Sequence, residues 1–267
     1  MLQTKKIRLA VLDWAGTTVD YGSMAPADVF HEVFQEAGIH LNRAEINGPM
    51  GKEKKEHIRA LLSLETAKEQ WKKGHGADWT EADVERLYAA FEHTLAQTVA
   101  SRSTVLADVP KTIQTLRERG ILIGSTTGYT SQIMGKVLPV AKSGGYSPDT
   151  VVTPDITGIG RPSPFMLYEC MRRLNVYPPS AVVKIGDTLT DIREGKNAGA
   201  FAIGLLTGSN LLGLTKAEAE AMNPAELASL KEAARLKYAA AGADLVVDCF
   251  RELPDAIAAL EQRLQEG

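Results

Sequence analysis

Residues 9–20 read LAVLDWAGTTVD, an aliphatic run that leads directly into a polar turn. Its four aliphatic residues, 9–12, predict a buried strand, and the Gly-Thr-Thr that follows predicts a turn. Asp13 therefore stands at the carboxyl end of a strand, where open α/β sheets place their chemistry. Two residues further on, Ala15 puts a methyl group beside that carboxylate.

Beyond residue 106 the sequence alternates between amphipathic and strand-like segments. The strand-like segments are ILIGSTT (121–127), TVVT (150–153), AVVKIGD (181–187), AFAIGLL (200–206) and ADLVVD (243–248). This alternation predicts an α/β, Rossmann-like fold with a parallel sheet and helices on both faces. Residues 22–102 have helical periodicity and no strong strand. We therefore predict a core of residues 1–21 and 103–267, interrupted by an all-helical cap domain, 22–102, that stands over Asp13.

The composition narrows the classes of function. The chain of 267 residues is 44% hydrophobic and 24% charged, with a formal net charge of −3, which is typical of a globular protein. A weakly negative net charge does not suggest the basic surface that binds nucleic acid. No apolar run is long enough to span a membrane. No hydrophobic leader precedes the first strand. We therefore expect a cytoplasmic protein without nucleic-acid or membrane partners.

Polar side chains follow four of the predicted strands. They are Asp13, the run Ser125–Gly128, Arg161, and Asp187 with Asp191. Because the carboxyl ends of parallel strands meet at one edge of a sheet, we expect these groups to converge. A nucleophilic carboxylate, hydroxyls, a cation and a second acid pair suit a phosphoryl group and a divalent metal, and hard oxygen ligands favour Mg²⁺. Thr126 or Thr127, with Gly128, would bind the phosphate oxygens.

In this order the residues resemble the haloacid dehalogenase superfamily. The resemblance implies that Asp13 attacks phosphorus, and that Asp13, the backbone carbonyl of Ala15 and Asp187 hold the metal. Asp191 would support the metal site. Lys184 is a second candidate for the cationic position, although its place inside a strand favours pairing with an acid. Phosphatases of the superfamily carry an aspartate where Ala15 stands, because their leaving group is an alkoxide that must be protonated.

A leaving group on carbon removes the need for that acid, provided that an imine accepts the electrons of the broken bond. The cap offers an amine in the segment PMGKEKKEHIRALLSL (49–64). If a helix begins near Gly51, Lys54 lies on an apolar face. The residues that share this face are Ile58, Leu61 and Leu62. We expect burial and the nearby Lys52 and Lys55 to lower the pKa of Lys54, and His57 to assist proton transfers.

Several segments are similar to one branch of the superfamily, which hydrolyses the carbon–phosphorus bond of a small phosphonate that carries an aldehyde. They are DWAGTTVDYG (13–22), PMG (49–51) with Lys54 and His57, GSTTGYT (124–130), GRP (160–162) and KIGDTLTD (184–191). The resemblance implies a Schiff base on Lys54, an aspartyl-phosphate on Asp13, and a site lined by Met50, His57 and Tyr129. It also implies a requirement for magnesium and a homodimer formed through the cap domains.

Two alternatives stay open at this point. A metal-independent 2-haloacid dehalogenase-type hydrolase also lacks the second acid, but Asp187 and Asp191 count against it. In a catalytically silent member of the superfamily, Ala15 would be a consequence of lost catalysis. The other polar residues of the predicted site are all present, however, and a protein without activity would not need them. The sequence leaves open which of Thr126 and Thr127 binds phosphate, which group activates water, and what residues 215–240 do.

Overall fold

A computed structural model describes residues 6–266. Within them, six parallel strands form one sheet in the order β3-β2-β1-β4-β5-β6. The strands are β1 (Leu9–Leu12), β2 (Leu122–Thr126), β3 (Thr150–Val152), β4 (Val182–Gly186), β5 (Phe201–Leu205) and β6 (Leu245–Val247). This confirms the predicted α/β fold.

Strand β1 lies in the middle of the sheet, between β2 and β4. Leu9 pairs with Leu122 on one side and with Val182 on the other, and all four residues of β1 are fully buried. A continuous aliphatic run suits a strand that is covered on both faces. Because the chain order reverses across β1, its carboxyl end lies at the topological switch point, where α/β sheets form their binding crevice.

The sheet is covered by the helices of the core. They are α6 (Val109–Glu118), α7 (Ser131–Ser143), α8 (Pro154–Thr157), α9 (Phe165–Arg173), α10 (Leu189–Asn197), α11 (Lys216–Ala221), α12 (Pro224–Ala240) and α13 (Leu253–Glu266), with 3₁₀ turns at Pro179–Ala181 and Phe250–Glu252. Helix α12 gives residues 215–240, whose role the sequence left open, a structural function. The buried Tyr238 packs over Gly204 and donates a hydrogen bond of 2.8 Å to the carbonyl of Leu205.

Five helices lie between β1 and α6. They are α1 (Met24–Glu36), α2 (Arg43–Asn47), α3 (Lys54–Leu62), α4 (Glu65–His75) and α5 (Glu81–Arg102). The prediction that α3 begins near Gly51 is wrong by three residues, since Gly51 has φ +87° and Glu53 caps the helix. Helix α4 extends as far as His75 and is anchored by the buried Trp71.

Two chain segments connect these helices to the sheet. In the first, Asp20 and Ser23 adopt left-handed backbone conformations, and the Asp20 carboxylate accepts the N–H groups of Met24 and Ala25 at the start of α1. In the second, Val105 forms a β-bridge to Val19. The domain division at residues 21/22 and 102/103 stays a prediction, and residues 1–5 and 267 of the predicted core lie outside the described part. None of the described helices combines the length and the apolarity needed to cross a membrane.

Candidate active site

The floor of the site is built around Asp13, directly after β1. Its carboxylate is buried and accepts a hydrogen bond of 2.9 Å from Arg161, which follows β3 and α8. Arg161 also pairs with Asp191 on α10. Burial raises the pKa of Asp13, and the guanidinium of Arg161 opposes that rise. The ion pair therefore favours the charged nucleophile and fixes its direction.

A second buried cation lies beneath this pair. Lys184 on β4 is 2.9 Å from Asp191 and 3.3 Å from Glu194, and it donates to the hydroxyl of Thr126. The Thr126 hydroxyl in turn donates to Glu194 at 2.9 Å. Lys184 is thus paired with acids, as its position in a strand suggested. Thr126 is committed to the same network and does not reach the cavity.

Three carboxylates form a cluster that suits a divalent cation. Oxygens of Asp13, Asp187 and Asp191 lie within 4.8 Å of one another. Asp187 accepts hydrogen bonds from the Thr17 hydroxyl (3.0 Å) and the Asn210 N–H (2.9 Å). Burial, and then repulsion from Asp13 and Asp191, raises the pKa of Asp187 well above its usual value. A hard cation would relieve that repulsion and match these oxygen donors, so the residues fit a metal ion such as Mg²⁺.

The loop that follows β1 passes close to this carboxylate cluster. Gly16 has φ +82°, and a Cβ on it would lie 2.2 Å from Oδ2 of Asp187. Glycine is therefore required there both for its backbone conformation and for space. The short loop leaves Ala15 on the wall of the cavity, so position 15 contributes no acidic side chain there.

The cap supplies the roof through Lys54, the first residue of α3. Its side chain is buried, and its Nζ lies 5.3 Å from the ring centroid of Tyr129, 5.5 Å from that of Phe30 and 5.8 Å from that of Phe91. Burial, and then repulsion from Arg161, lowers the pKa of Lys54 to about 8. The predicted direction is right, but Arg161 across the cavity replaces the neighbouring Lys52 and Lys55 as the opposing charge.

A narrow cavity joins the floor to the roof. Its lining residues are Asp13, Ala15, Ser23, Pro26, Met50, Gly51, Lys54, Thr127, Gly128, Tyr129, Arg161 and Thr188. Eight of the predicted site residues are therefore brought together here, from both the core and the cap. Of the two threonines left open by the sequence, the structure brings Thr127 to the cavity. Gly128 lets the cap close, since a Cβ there would lie 2.9 Å from the Lys52 carbonyl oxygen.

His57 is not part of the cavity wall. It is fully buried, its ring packs against Phe30 at 4.0 Å between centroids with a tilt of 35°, and its Nε2 is 2.8 Å from the Ile46 carbonyl oxygen. Nε2 must therefore carry the proton. Burial, and then the nearby Lys54, lowers the pKa of His57 well below its usual value, so the ring is neutral.

Several residues that the sequence reasoning missed complete the site. Phe30 on α1 and Phe91 on α5 form the aromatic surroundings of Lys54, and each had only the signal of an ordinary apolar helix position. Glu92 on α5 accepts a hydrogen bond of 3.0 Å from Thr130 of the core. Tyr129, by contrast, was predicted from the sequence; its buried hydroxyl has no hydrogen-bond partner within residues 6–266.

Comparison with known proteins assigns the chain to a family. The family model for haloacid dehalogenase-like hydrolases matches residues 7–199. A phosphonoacetaldehyde hydrolase of Bacillus cytotoxicus is 42% identical over 258 residues, which are 97% of this chain and 98% of that protein. The chain belongs to the phosphonoacetaldehyde hydrolase family of the haloacid dehalogenase superfamily. This confirms the resemblance that the motifs suggested.

Other members of this family agree. A bifunctional phosphonoacetaldehyde hydrolase/aminoethylphosphonate transaminase of Clostridioides difficile is 44% identical over 257 residues, 96% of this chain and 40% of that longer protein. A crystal structure of a phosphonoacetaldehyde hydrolase-like protein from Oleispira antarctica superposes with a TM-score of 0.95 at 34% identity, covering 98% of this chain and 95% of that one. A β-phosphoglucomutase of Clostridium difficile, at 16% identity and TM-score 0.69, shares the fold alone.

Proposed function

We propose that this enzyme hydrolyses phosphonoacetaldehyde to acetaldehyde and phosphate. The observation that carries the proposal is that Lys54 of the cap and Asp13 of the core line one cavity. The relatives that share nearly the whole chain are named for this activity. No aspartate stands at position 15, which fits a reaction whose leaving group is carbon.

The first step forms an imine between Lys54 and the aldehyde. Only the free amine attacks a carbonyl, and with a pKa of about 8 roughly a tenth of the Lys54 side chains are unprotonated at pH 7. Loss of water from the adduct leaves a protonated imine one carbon away from the C–P bond. The aromatic rings around Nζ tolerate this cation, since their faces attract positive charge.

The second step transfers the phosphoryl group. A carboxylate oxygen of Asp13 bonds to phosphorus, the P–C bond breaks, and its electron pair passes into the imine to give a neutral enamine. No alkoxide forms, so a proton donor at position 15 has nothing to protonate. Arg161 and the Thr127–Gly128 turn, which line the same cavity, would bind the phosphonate oxygens during transfer.

Two hydrolyses complete the cycle. Water attacks the phosphorus of the aspartyl-phosphate and restores Asp13 with release of phosphate. The enamine takes up a proton on carbon, and water then cleaves the imine to acetaldehyde and free Lys54. Mg²⁺ held by Asp13, the Ala15 carbonyl and Asp187, with Asp191 in support, would offset the charge between Asp13 and the incoming phosphonate.

The experiment is borohydride reduction with phosphonoacetaldehyde, followed by peptide mapping. We expect a two-carbon adduct on the peptide containing Lys54, and loss of both adduct and turnover in Lys54→Arg. Lys55→Arg is the matched control, because Lys55 is directed away from the cavity and paired with Glu85 at 2.7 Å. Turnover that persists in Lys54→Arg would refute the proposal. Turnover that survives a chelator would instead favour the metal-independent dehalogenase. Absence of turnover in the wild-type protein would favour the catalytically silent member.

A homodimer through the cap and a cytoplasmic location belong to the same proposal and rest on the resemblance and the sequence. Among the described residues, the large apolar side chains that are well exposed lie on the core and not on the cap. The predicted cap interface would therefore have to use polar groups and apolar side chains that are only partly exposed, such as Trp79 and Tyr88. Size-exclusion chromatography with light scattering of the full chain and of cap-surface variants measures this directly.

A further inference from the structure

Two separate grooves reach the catalytic cavity between cap and core. The first, which we call the basic groove, has Arg43 and Lys52 on the cap and Arg193 and Lys237 on the core, with Glu45 as its single acid. It shares Met50 and Thr188 with the cavity. The second, the acidic groove, has three acids, Glu53, Glu56 and Asp155, and the cations Lys55 and Arg161; it shares Gly128 and Arg161 with the cavity.

The charges of the basic groove are largely uncompensated. Within residues 6–266, Lys52, Arg193 and Lys237 form no ion pair. Arg43 pairs with Glu218 at 3.1 Å. Glu45 is committed to the capping box of α2 and to the Thr66 hydroxyl. The walls therefore present three free cations to whatever enters.

The acidic groove has the opposite balance. Its two cations are neutralised, Lys55 by Glu85 at 2.7 Å and Arg161 by the acids of the floor. Of its three acids, Glu56 pairs with Arg59, whereas Glu53 and Asp155 form no ion pair within residues 6–266. Glu53 caps α3 and has no cationic partner within the described part of the chain. The difference in electrostatic potential between the two grooves is enhanced by their shape, because a cleft with walls of low dielectric constant focuses the field lines of its charges.

We propose that the basic groove is the entrance through which a doubly charged phosphonate reaches the cavity, and that the acidic groove repels it. This inference rests on the proposed function for the identity of the substrate. The positive walls raise the local concentration of the dianion before it meets Arg161 and Thr127. The same charges discriminate against neutral aldehydes, which lack the attraction and would otherwise occupy Lys54.

The inner end of the basic groove is also where the cap rests on the core. A Cβ on Gly51 would lie 2.3 Å from the Thr188 hydroxyl, and the Thr190 hydroxyl is 3.5 Å from the Met50 carbonyl oxygen. Movement of the cap away from α10 therefore opens the cavity directly into this groove.

The test is a double charge reversal, Arg193→Glu with Lys237→Glu, at two exposed positions outside the catalytic machinery. At low ionic strength we expect kcat/KM for phosphonoacetaldehyde to fall about tenfold or more, with kcat unchanged. The loss shrinks as salt is added, because screening removes the wild-type advantage. The matched control is Lys111→Glu with Lys142→Glu, two exposed core lysines that line neither groove.

Equal losses in the test and control pairs, or no loss in the test pair, would overturn the proposal. Binding of inorganic phosphate, measured by calorimetry in the same variants, tests the attraction of the groove for a phosphate dianion independently of turnover. If the wild type fails to hydrolyse phosphonoacetaldehyde while phosphate binding still weakens in the test pair alone, the proposed function fails and the groove stands.

Discussion

The floor and the roof of the cavity treat buried charge in opposite ways. In the floor, Asp191 is held between Arg161 and Lys184, and Lys184 also meets Glu194. In the roof, Lys54 lies among three aromatic rings. Burial disfavours the charged form of both groups. In the floor the two cations outweigh it and lower the pKa of Asp191, which favours the charged carboxylate. In the roof burial dominates and lowers the pKa of Lys54, which favours the neutral amine.

The difference follows the chemistry that each surface performs. A nucleophilic carboxylate must be charged and correctly directed, and at Asp13, whose pKa burial raises, the guanidinium of Arg161 opposes that rise and fixes the carboxylate. An amine that attacks an aldehyde must be neutral for part of the time, which an unpaired apolar setting achieves. Two layers of one cavity thus hold an anion and a partly deprotonated amine at the same pH, and variants can separate them.

The largest expected effect comes from removing the nucleophile of the floor. In Asp13→Asn we expect kcat to fall by roughly 10⁴-fold or more, because the amide does not attack phosphorus. Borohydride should still trap the imine on Lys54, since the roof is intact. Phosphate release and adduct formation, measured on one preparation, check the separation; loss of both would mean that floor and roof act as a single unit.

The next effect concerns stability and the pairing within the floor. Lys184→Met leaves Glu194 buried without its cation, which should lower the free energy of unfolding by about 3–5 kcal/mol. Lys196→Met is the control, because its ion pair with Asp244 at 2.8 Å is partly exposed, and about 1 kcal/mol or less is expected. Urea unfolding followed by circular dichroism distinguishes them, and similar losses would argue against a buried charge network.

A smaller effect is expected from adding the acid that phosphatases carry. Ala15→Asp introduces a further negative charge beside Asp13 and serves no departing oxygen, so we expect turnover to fall roughly tenfold. Ala15→Asn controls for size without charge. Steady-state rates for both variants are the measurement, and a faster Ala15→Asp enzyme would contradict the account of the carbon leaving group.

The smallest effect is a shift in pH dependence at the roof. Because the free amine reacts and the pKa of Lys54 is about 8, the rate of borohydride trapping should rise with pH and level off above about 8. The negative charge of Glu92 raises that pKa, so Glu92→Gln should move the rise to lower pH by a few tenths of a unit. Thr130→Val, which removes the hydrogen bond to Glu92 but not its charge, should leave the midpoint in place. A shift in Thr130→Val alone would assign the effect to cap position instead.

Much of the floor could be predicted because it depends on strand order. Asp13 follows β1 and Asp187 follows β4, and adjacent parallel strands must end at one edge. The choice between Thr126 and Thr127 could not be predicted in this way. Thr126 is the last residue of β2, and its hydroxyl is directed to Lys184 and Glu194, while Thr127 lies beyond the strand.

The alternating core, the helical insertion and the apolar face that carries Lys54 follow from the sequence, because hydrophobic periodicity is a local property of the chain. The surroundings of that lysine instead depend on how distant segments pack together. Phe30, Phe91 and Tyr129 are far apart in sequence, and Arg161, rather than the adjacent lysines, supplies the opposing charge. The same holds for the unequal charges of the two grooves. Electrostatic effects depend on distance through space and on burial, and only packing of the cap against the core sets those.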